Sequence, residues 1–368
     1  MAFRHAYNFL MIKILSKLFI GPRHTSVITK DGSLYTFGAG SWGVLGHGNE
    51  KTVNPQAPKK VEYFERKGIK IKDCKLGEYH SIALSEDGDV YTWGYGGKEG
   101  YFSWMFSQEV GALGHGNRKP FFIPKKVDFF SELETKVSQI SAGLYHCVAV
   151  TEDGDLYTWG RGLYGTLGNG SNQYTLTPEL NEDFASFKDE GINIVKIDSA
   201  EDYTAVLMDN GEVYTFGKND RGQMGIGTGI GIDMFESSPS PTLVSFEEGD
   251  ECNISDIYCG QSTMLLKDES GNAWKTGLRL DYNPKMINLA ADSEYDQNVA
   301  SIACGRKHYV LVNNDNQMFI WGSVFKNNSS VKVDGFDLYY GDDLFEDQKC
   351  INLSMKYGLF GAVTESTD

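Results

Sequence analysis

One segment recurs along this chain, and that recurrence constrains the fold more than any other feature. Residues 21–38 read GPRHTSVITKDGSLYTFG, residues 77–94 read GEYHSIALSEDGDVYTWG and residues 143–160 read GLYHCVAVTEDGDLYTWG. Weaker copies follow at 201–217 (EDYTAVLMDNGEVYTFG), 260–277 (GQSTMLLKDESGNAWKTG) and 305–322 (GRKHYVLVNNDNQMFIWG). A truncated seventh copy lies near 351–364 (INLSMKYGLFGAVT). Self-similarity of this kind marks an architecture in which one unit cannot bury its own faces but a series of stacked units can.

Inside a unit the pattern is that of a β-hairpin. HSIALS alternates in the manner of a half-buried strand, and Asp87-Gly88 then supplies a two-residue turn. Asp31-Gly32, Asp153-Gly154 and Asn210-Gly211 repeat the turn, and the aromatic strands LYTFG, VYTWG, LYTWG and VYTFG follow. The first four units also carry Leu/Met-Gly-x-Gly, at 45–48, 113–116, 167–170 and 224–227, where glycine lets connecting backbone pass close over the sheet. Glycine is accordingly abundant (42 of 368 residues) while proline is scarce (9), which fits many tight turns and excludes a collagen-like or linker chain. With 40% hydrophobic residues, the chain is not a disordered one.

These units resemble the repeat of the regulator-of-chromosome-condensation family. The likeness covers nearly the whole chain, most specifically in units one to three. It implies an all-β fold: a seven-bladed β-propeller, one domain over residues 1–368, closed by strands from both termini. The seventh copy has no room for its second hairpin strand, so residues near 2–10 (AFRHAYNFL), within the segment 1–20, are expected to complete the seventh blade.

Tempting motifs dissolve into the repeat. Gly38-x-Gly40-x-x-Gly43 and Gly160-x-Gly162-x-x-Gly165 match a dinucleotide fingerprint, but neither opens a helix, so no cofactor is assigned. His24, His80, His146 and His308 share one repeat position, and His47 and His115 another. They are expected to bond within their own turns, and no metal site or catalytic residue is assigned. No GxSxG elbow occurs. Cys74, Cys147, Cys252, Cys259, Cys304 and Cys350 are widely spaced and read as mostly buried, reduced thiols. Plant UV-B photoreceptors of this family would bring Trp directly after the repeat glycine. Pro22, Glu78, Leu144, Gln261 and Arg306 stand there instead. A net charge of −16 argues against nucleic-acid binding, and no 18-residue apolar stretch predicts a membrane span.

Departures from the repeat carry the functional expectations. The second unit holds an insertion within 95–112 whose core, EGYFSWMFSQEV, contains Tyr101, Phe102, Trp104, Met105 and Phe106, the expected partner-binding residues. The alternative is that this loop folds over its own blade. A second insertion, 228–241, reads as a polar loop. Residues 1–30 hold Arg4, Lys13, Lys17, Arg23 and Lys30 but no acid, which reads either as a mitochondrial targeting segment or as an ordinary first strand in a cytoplasmic protein. The expected function is a non-enzymatic protein–protein interaction or scaffold propeller, an accessory subunit of a larger, multisubunit mitochondrial complex. The resemblance also implies an alternative, guanine-nucleotide exchange on a Ran-like small GTPase.

Overall fold

The computed structural model describes residues 15–54, 57–97, 111–227, 237–247, 252–279, 281–289, 298–305 and 308–321. It also describes the strand segments 331–333, 336–339, 348–356 and 359–366. The first sheet is an antiparallel meander of β1 (Leu15–Ile20), β2 (His24–Thr29), β3 (Leu34–Gly38) and β4 (Lys59–Lys60). The second is β5–β8 (Ile71–Leu76, His80–Ser85, Val90–Gly94, Phe121–Lys126), and the third β9–β12 (Val137–Ala142, His146–Thr151, Leu156–Gly160, Thr175–Leu180). The fourth is β13–β16 (Ile194–Ala200, Tyr203–Met208, Val213–Lys218, Ser237–Leu243) and the fifth β17–β20 (Ile254–Cys259, Thr263–Asp268, Ala273–Gly277, Asp281–Met286). A five-stranded sixth sheet uses β21–β25 (Val299–Cys304, Tyr309–Asn313, Met318–Trp321, Val331–Val333, Phe336–Tyr339).

The chain is therefore an all-β propeller, with six blades rather than the seven expected. The seventh repeat forms only a two-stranded ladder, β26 (Gln348–Lys356) against β27 (Leu359–Ser366). β26 packs beside β21 and β1, and the Ile20 backbone N–H donates to Ser354 Oγ at 3.0 Å. No further strand joins this ladder among the described residues, and residues 2–10, expected to supply one, lie outside them.

Two local expectations are corrected. Each hairpin turn has three residues, not two: Gly88 N–H bonds Ser85 O, Ser85 N–H bonds Asp89 O, and Gly88 closes the turn at φ 78. That is a type I turn followed by a left-handed residue, a conformation in which glycine is strongly favoured. The second strand of each early blade is not half-buried; β2, β6, β10 and β14 are buried at every position. One of their faces meets the preceding blade and the other the following one, as Ala83 packs with Leu34 of the first blade and Ile82 with Cys147 of the third. The second insertion also differs from expectation, because residues 237–241 belong to β16, paired with β15.

Apolar clusters fill the seams between blades. Ile82, Leu84, Val90 and Phe130 of the second blade pack with Cys147, Ala149 and Trp159 of the third. Short helices α1 (Glu62–Lys67), α2 (Asp128–Glu132) and α3 (Glu182–Asp189) each deliver one buried phenylalanine to such a seam. Phe130, for example, sits edge-on to Tyr157 at 5.6 Å and tilted on Trp159 at 6.1 Å. Because each of the first five sheets is a meander, its first turn and its third-to-fourth-strand loop emerge at one end of the blade, and the three-residue turns and helices at the other. The first end is called the rim face below and the second the turn face.

Candidate functional site

The repeat glycine and histidine build the seam beneath the rim face. A Cβ on Gly77 would stand 2.1 Å from His80 Cε1, so the ring occupies the space that glycine leaves empty. His24, His80 and His146 reach the next blade, which the expectation of bonding within their own turns did not include, while His308 Nε2 is buried without a hydrogen-bond partner among the described residues. His24 Nε2 meets Ser81 Oγ at 2.7 Å, His80 Nε2 meets Cys147 Sγ at 3.3 Å, and His146 Nε2 meets Thr204 Oγ1 at 3.0 Å. In the fourth blade Tyr203 takes the same slot and donates to Thr263 O at 3.2 Å. His47 and His115 do stay within their blades, against Thr36 Oγ1 and Thr92 Oγ1, each at 3.0 Å. Burial pushes the His24 imidazole down to about 3, and that of His115 down to about 4. His24 and His115 are therefore neutral at neutral pH.

One residue earlier the side chains turn outward, and there the blades differ: Arg23, Tyr79, Tyr145 and Asp202. Together they form a connected surface. Arg23 Nε donates to Glu78 Oε1 at 2.5 Å while its guanidinium lies over the Tyr79 ring at 4.6 Å. Tyr79 lies 6.5 Å from Tyr145 and 6.3 Å from Tyr95, and Tyr95 lies 4.9 Å from Trp42. Arg161 covers Tyr145 at 4.3 Å and is ion-paired to Asp202. Lys218 covers Tyr164 at 5.0 Å. Sequence reading passed over these residues because each occurs at a repeat position; the signal was the variation at that position, not the repeat.

Two of the aromatics sit on strained backbone. Trp42 (φ 60, ψ 14) and Tyr164 (φ 64, ψ 17) occupy equivalent tips in the left-handed region, unfavourable for bulky side chains by roughly 1–2 kcal/mol. The Trp42 N–H is held by Glu50 Oε1 at 2.9 Å, and the side chain remains 43% exposed. A large aromatic kept exposed on costly backbone points to use at the surface.

The expected partner-binding residues Tyr101, Phe102, Trp104, Met105 and Phe106 lie outside the described residues. The base of their insertion is described, and it is on this face. A Cβ on Gly111 would stand 2.2 Å from Tyr95 O, so the insertion leaves and re-enters the fold beside the Trp42–Tyr95 pair.

Charge divides the two faces. The turn face carries Asp31, Glu86, Asp87, Glu152, Asp153, Asp209 and Glu269 and the helical acids Glu62, Glu132, Glu182 and Asp183, interspersed with Lys30, Arg66, Lys67, Lys70, Lys136 and Lys188. The rim face carries Arg23, Lys51, Lys119, Arg161, Lys218, Arg221 and Arg279, interspersed with Glu50, Glu78, Glu201, Asp202 and Asp220. Among the described residues acids are thus in excess on the turn face and are matched by cations on the aromatic rim face.

Cys74, Cys147, Cys259 and Cys304 are buried, and burial pushes the Cys74 thiol up to about 12. Among the described residues no group of three His, Cys, Asp or Glu side chains could hold a metal ion, and no helix is long and apolar enough to cross a membrane.

Comparison with known proteins agrees with this architecture. The chain is 31% identical over 313 residues to the ultraviolet-B receptor UVR8 of Arabidopsis thaliana, covering 82% of this chain and 63% of the receptor. It is 30% identical over 310 residues to the RCC1 domain-containing protein RUG3, mitochondrial, of the same plant, covering 81% and 63%. It is also 30% identical over 314 residues to human E3 ubiquitin-protein ligase HERC2, of which the match is 6%. The chain thus spans less than two thirds of these relatives. Among solved structures, Prp20p of Saccharomyces cerevisiae superposes with a TM-score of 0.73 at 20% identity, covering 96% of this chain and 83% of that one. Human WBSCR16 superposes at 0.75 with 17% identity, covering 98% and 89%. Residues 8–283 match the RCC1-like domain and residues 299–329 the regulator of chromosome condensation (RCC1) repeat, so the chain belongs to the RCC1-like domain family.

Proposed function

We propose that this chain is a non-catalytic protein–protein interaction propeller that binds its partner on the rim face. The observation that carries the reading is the connected array of Trp42, Tyr95, Tyr79, Arg23, Tyr145 and Arg161. Tryptophan, tyrosine and arginine are the residue types that dominate binding hot spots, the aromatics because they supply large contact area at little conformational cost and arginine because its planar guanidinium stacks and donates several hydrogen bonds. In this reading Tyr101, Phe102, Trp104, Met105 and Phe106 also contact the partner, since Gly111 at the base of their insertion lies beside Tyr95.

The partner assembly we propose is a multisubunit mitochondrial complex in which this chain is an accessory subunit. Two features support it: the likeness to a relative whose name carries the word mitochondrial, and the acid-free first 30 residues. Lys17 and Arg23 also have structural partners, because Lys17 Nζ donates to Lys72 O at 2.9 Å and Arg23 pairs with Glu78.

Native-gel migration of the tagged chain from fractionated cells tests this, comparing wild type with the Arg23→Ala/Trp42→Ala double variant. Co-migration with a large mitochondrial complex, lost in a double variant that melts normally, is the expected outcome. Migration near 40.9 kDa in the soluble fraction defeats the accessory-subunit reading. Stimulated nucleotide release from a Ran-like GTPase would replace it with exchange activity.

A further inference from the structure

Four cations on the rim face lie over tyrosine rings, but they are not equivalent; Arg118, over Tyr174 at 5.0 Å, stands apart from the Trp42–Tyr95–Tyr79 array. The Arg161 side chain is only 9% exposed and is spent on Asp202. Lys218 Nζ lies 3.3 Å from Asp220 Oδ2. Arg23 is 44% exposed, its Nε is committed to Glu78, and neither Nη atom bonds an acceptor among the described residues. A guanidinium held by its Nε edge and stacked on Tyr79 cannot rotate freely, so its Nη edge faces outward in a fixed plane. A planar two-donor edge of this kind matches a carboxylate bidentately, and its ordering cost has already been met by Glu78 and Tyr79.

Beside that edge runs apolar surface, from Tyr79 through Tyr95 to the exposed Trp42. A ligand that satisfies both needs a carboxylate and, within a residue or two of it, a large apolar side chain. The charge distribution selects the same chemistry. The turn face carries an excess of acids, and the exposed Arg66 and Lys136 there are paired with Glu62 and Asp89, whereas Arg23, Lys51 and Lys119 stand exposed on the rim face, so the approach of an acidic segment is favoured toward Arg23. A basic segment would be drawn to the opposite face.

We propose that Arg23 and Trp42 form a docking site for an acidic–apolar segment of a partner protein. An Asp or Glu carboxylate sits on the outward Nη edge of Arg23, and a neighbouring Leu, Phe or Trp side chain lies against Trp42 and Tyr95. This rests on the reading of the chain as an interaction propeller and adds the chemistry of what it binds.

Selection of a displayed random twelve-residue peptide library on the full chain tests the proposal, followed by fluorescence anisotropy of the enriched peptides. Enriched peptides are expected to carry Asp or Glu next to a large apolar residue. Their affinity should fall at least tenfold on Arg23→Ala, on Arg23→Lys and on Trp42→Ala, and equally when the peptide acid is replaced by its amide. The lysine variant retains the charge but not the two-donor edge, and unchanged melting of each variant shows that the fold is intact. Peptides that depend on Trp42 yet lack an acid, or that bind Arg23→Lys normally, overturn the carboxylate site while leaving the interaction reading standing. If no enriched peptide responds to any substitution on this face, both fail. Sedimentation showing that Arg23 is instead occupied by a second copy of the chain, excluding the peptides, also overturns the proposal.

Discussion

His24 Nε2 lies 2.7 Å from Ser81 Oγ, and that hydroxyl donates to the Val44 carbonyl at 2.8 Å. The serine proton is committed to Val44, so His24 must donate through Nε2–H, which leaves Nδ1 as an acceptor. Nδ1 is buried and has no hydrogen-bond partner. Protonating it would place a charge in a desolvated seam with nothing to receive the new N–H. This is the physical content of the shift to about 3, in which burial leads and His80 adds repulsion.

Stability should therefore fall with acidification before the carboxylates titrate. The unfolded chain takes up a proton at His24 below its ordinary value near 6.5, whereas the folded chain does so only near 3. Unfolding is thus favoured progressively as pH drops through that window. From pH 7 to pH 5 His24 alone contributes a loss of about 2 kcal/mol. Urea midpoints at the two pH values should show it, and His24→Gln should flatten the dependence. An equally steep dependence in the variant would show that the histidine is not responsible.

Phe130→Ala should destabilise by about 3–5 kcal/mol, because it empties the seam position facing Tyr157 and Trp159. The exposed Leu133 one turn away should tolerate the same change within about 0.5 kcal/mol. Equilibrium denaturation of both variants separates seam packing from helix propensity.

Trp42→Gly should uncouple stability from binding. Glycine relieves the left-handed strain, by about 1 kcal/mol, and forfeits a ring contact with Tyr95 of similar size. The melting temperature should therefore stay close to wild type while partner retention weakens. A large drop in melting temperature would show that Trp42 belongs to the packing instead.

Cys74 and Cys147 should resist alkylation at pH 8 in the folded protein and react only in denaturant. Burial raises both thiols well above their ordinary range, leaving almost no thiolate. Peptide mapping after iodoacetamide treatment reads this directly; modification of either in the native state would require the seams to open.

The hairpins and the propeller were legible because YTFG and YTWG strands after an Asp-Gly or Asn-Gly pair recur too regularly for anything else. Turn length was not, since Asp-Gly serves two- and three-residue turns alike and only the Ser85–Asp89 pairing decides between them. Nor was the destination of the histidines. Repetition says that His24, His80 and His146 are equivalent, but equivalence is silent on whether a side chain reaches its own turn or the next blade. Arg23 and Tyr79 were hidden by the opposite effect. They share a repeat position with Tyr145 and Asp202 yet differ in chemistry, and function resides in that difference. The blade count failed where the repeat itself degrades, in the two-stranded β26–β27 ladder.

The seam bonds also have a direction. His24 reaches forward to Ser81, His80 to Cys147, His146 to Thr204 and Tyr203 to Thr263, always to a residue synthesised later. On a ribosome each of the first four blades would emerge with its clasp open and shut it only on the blade that follows. A nascent chain halted within them therefore ends in one unfastened blade, and its most recently made edge is the surface a chaperone would meet.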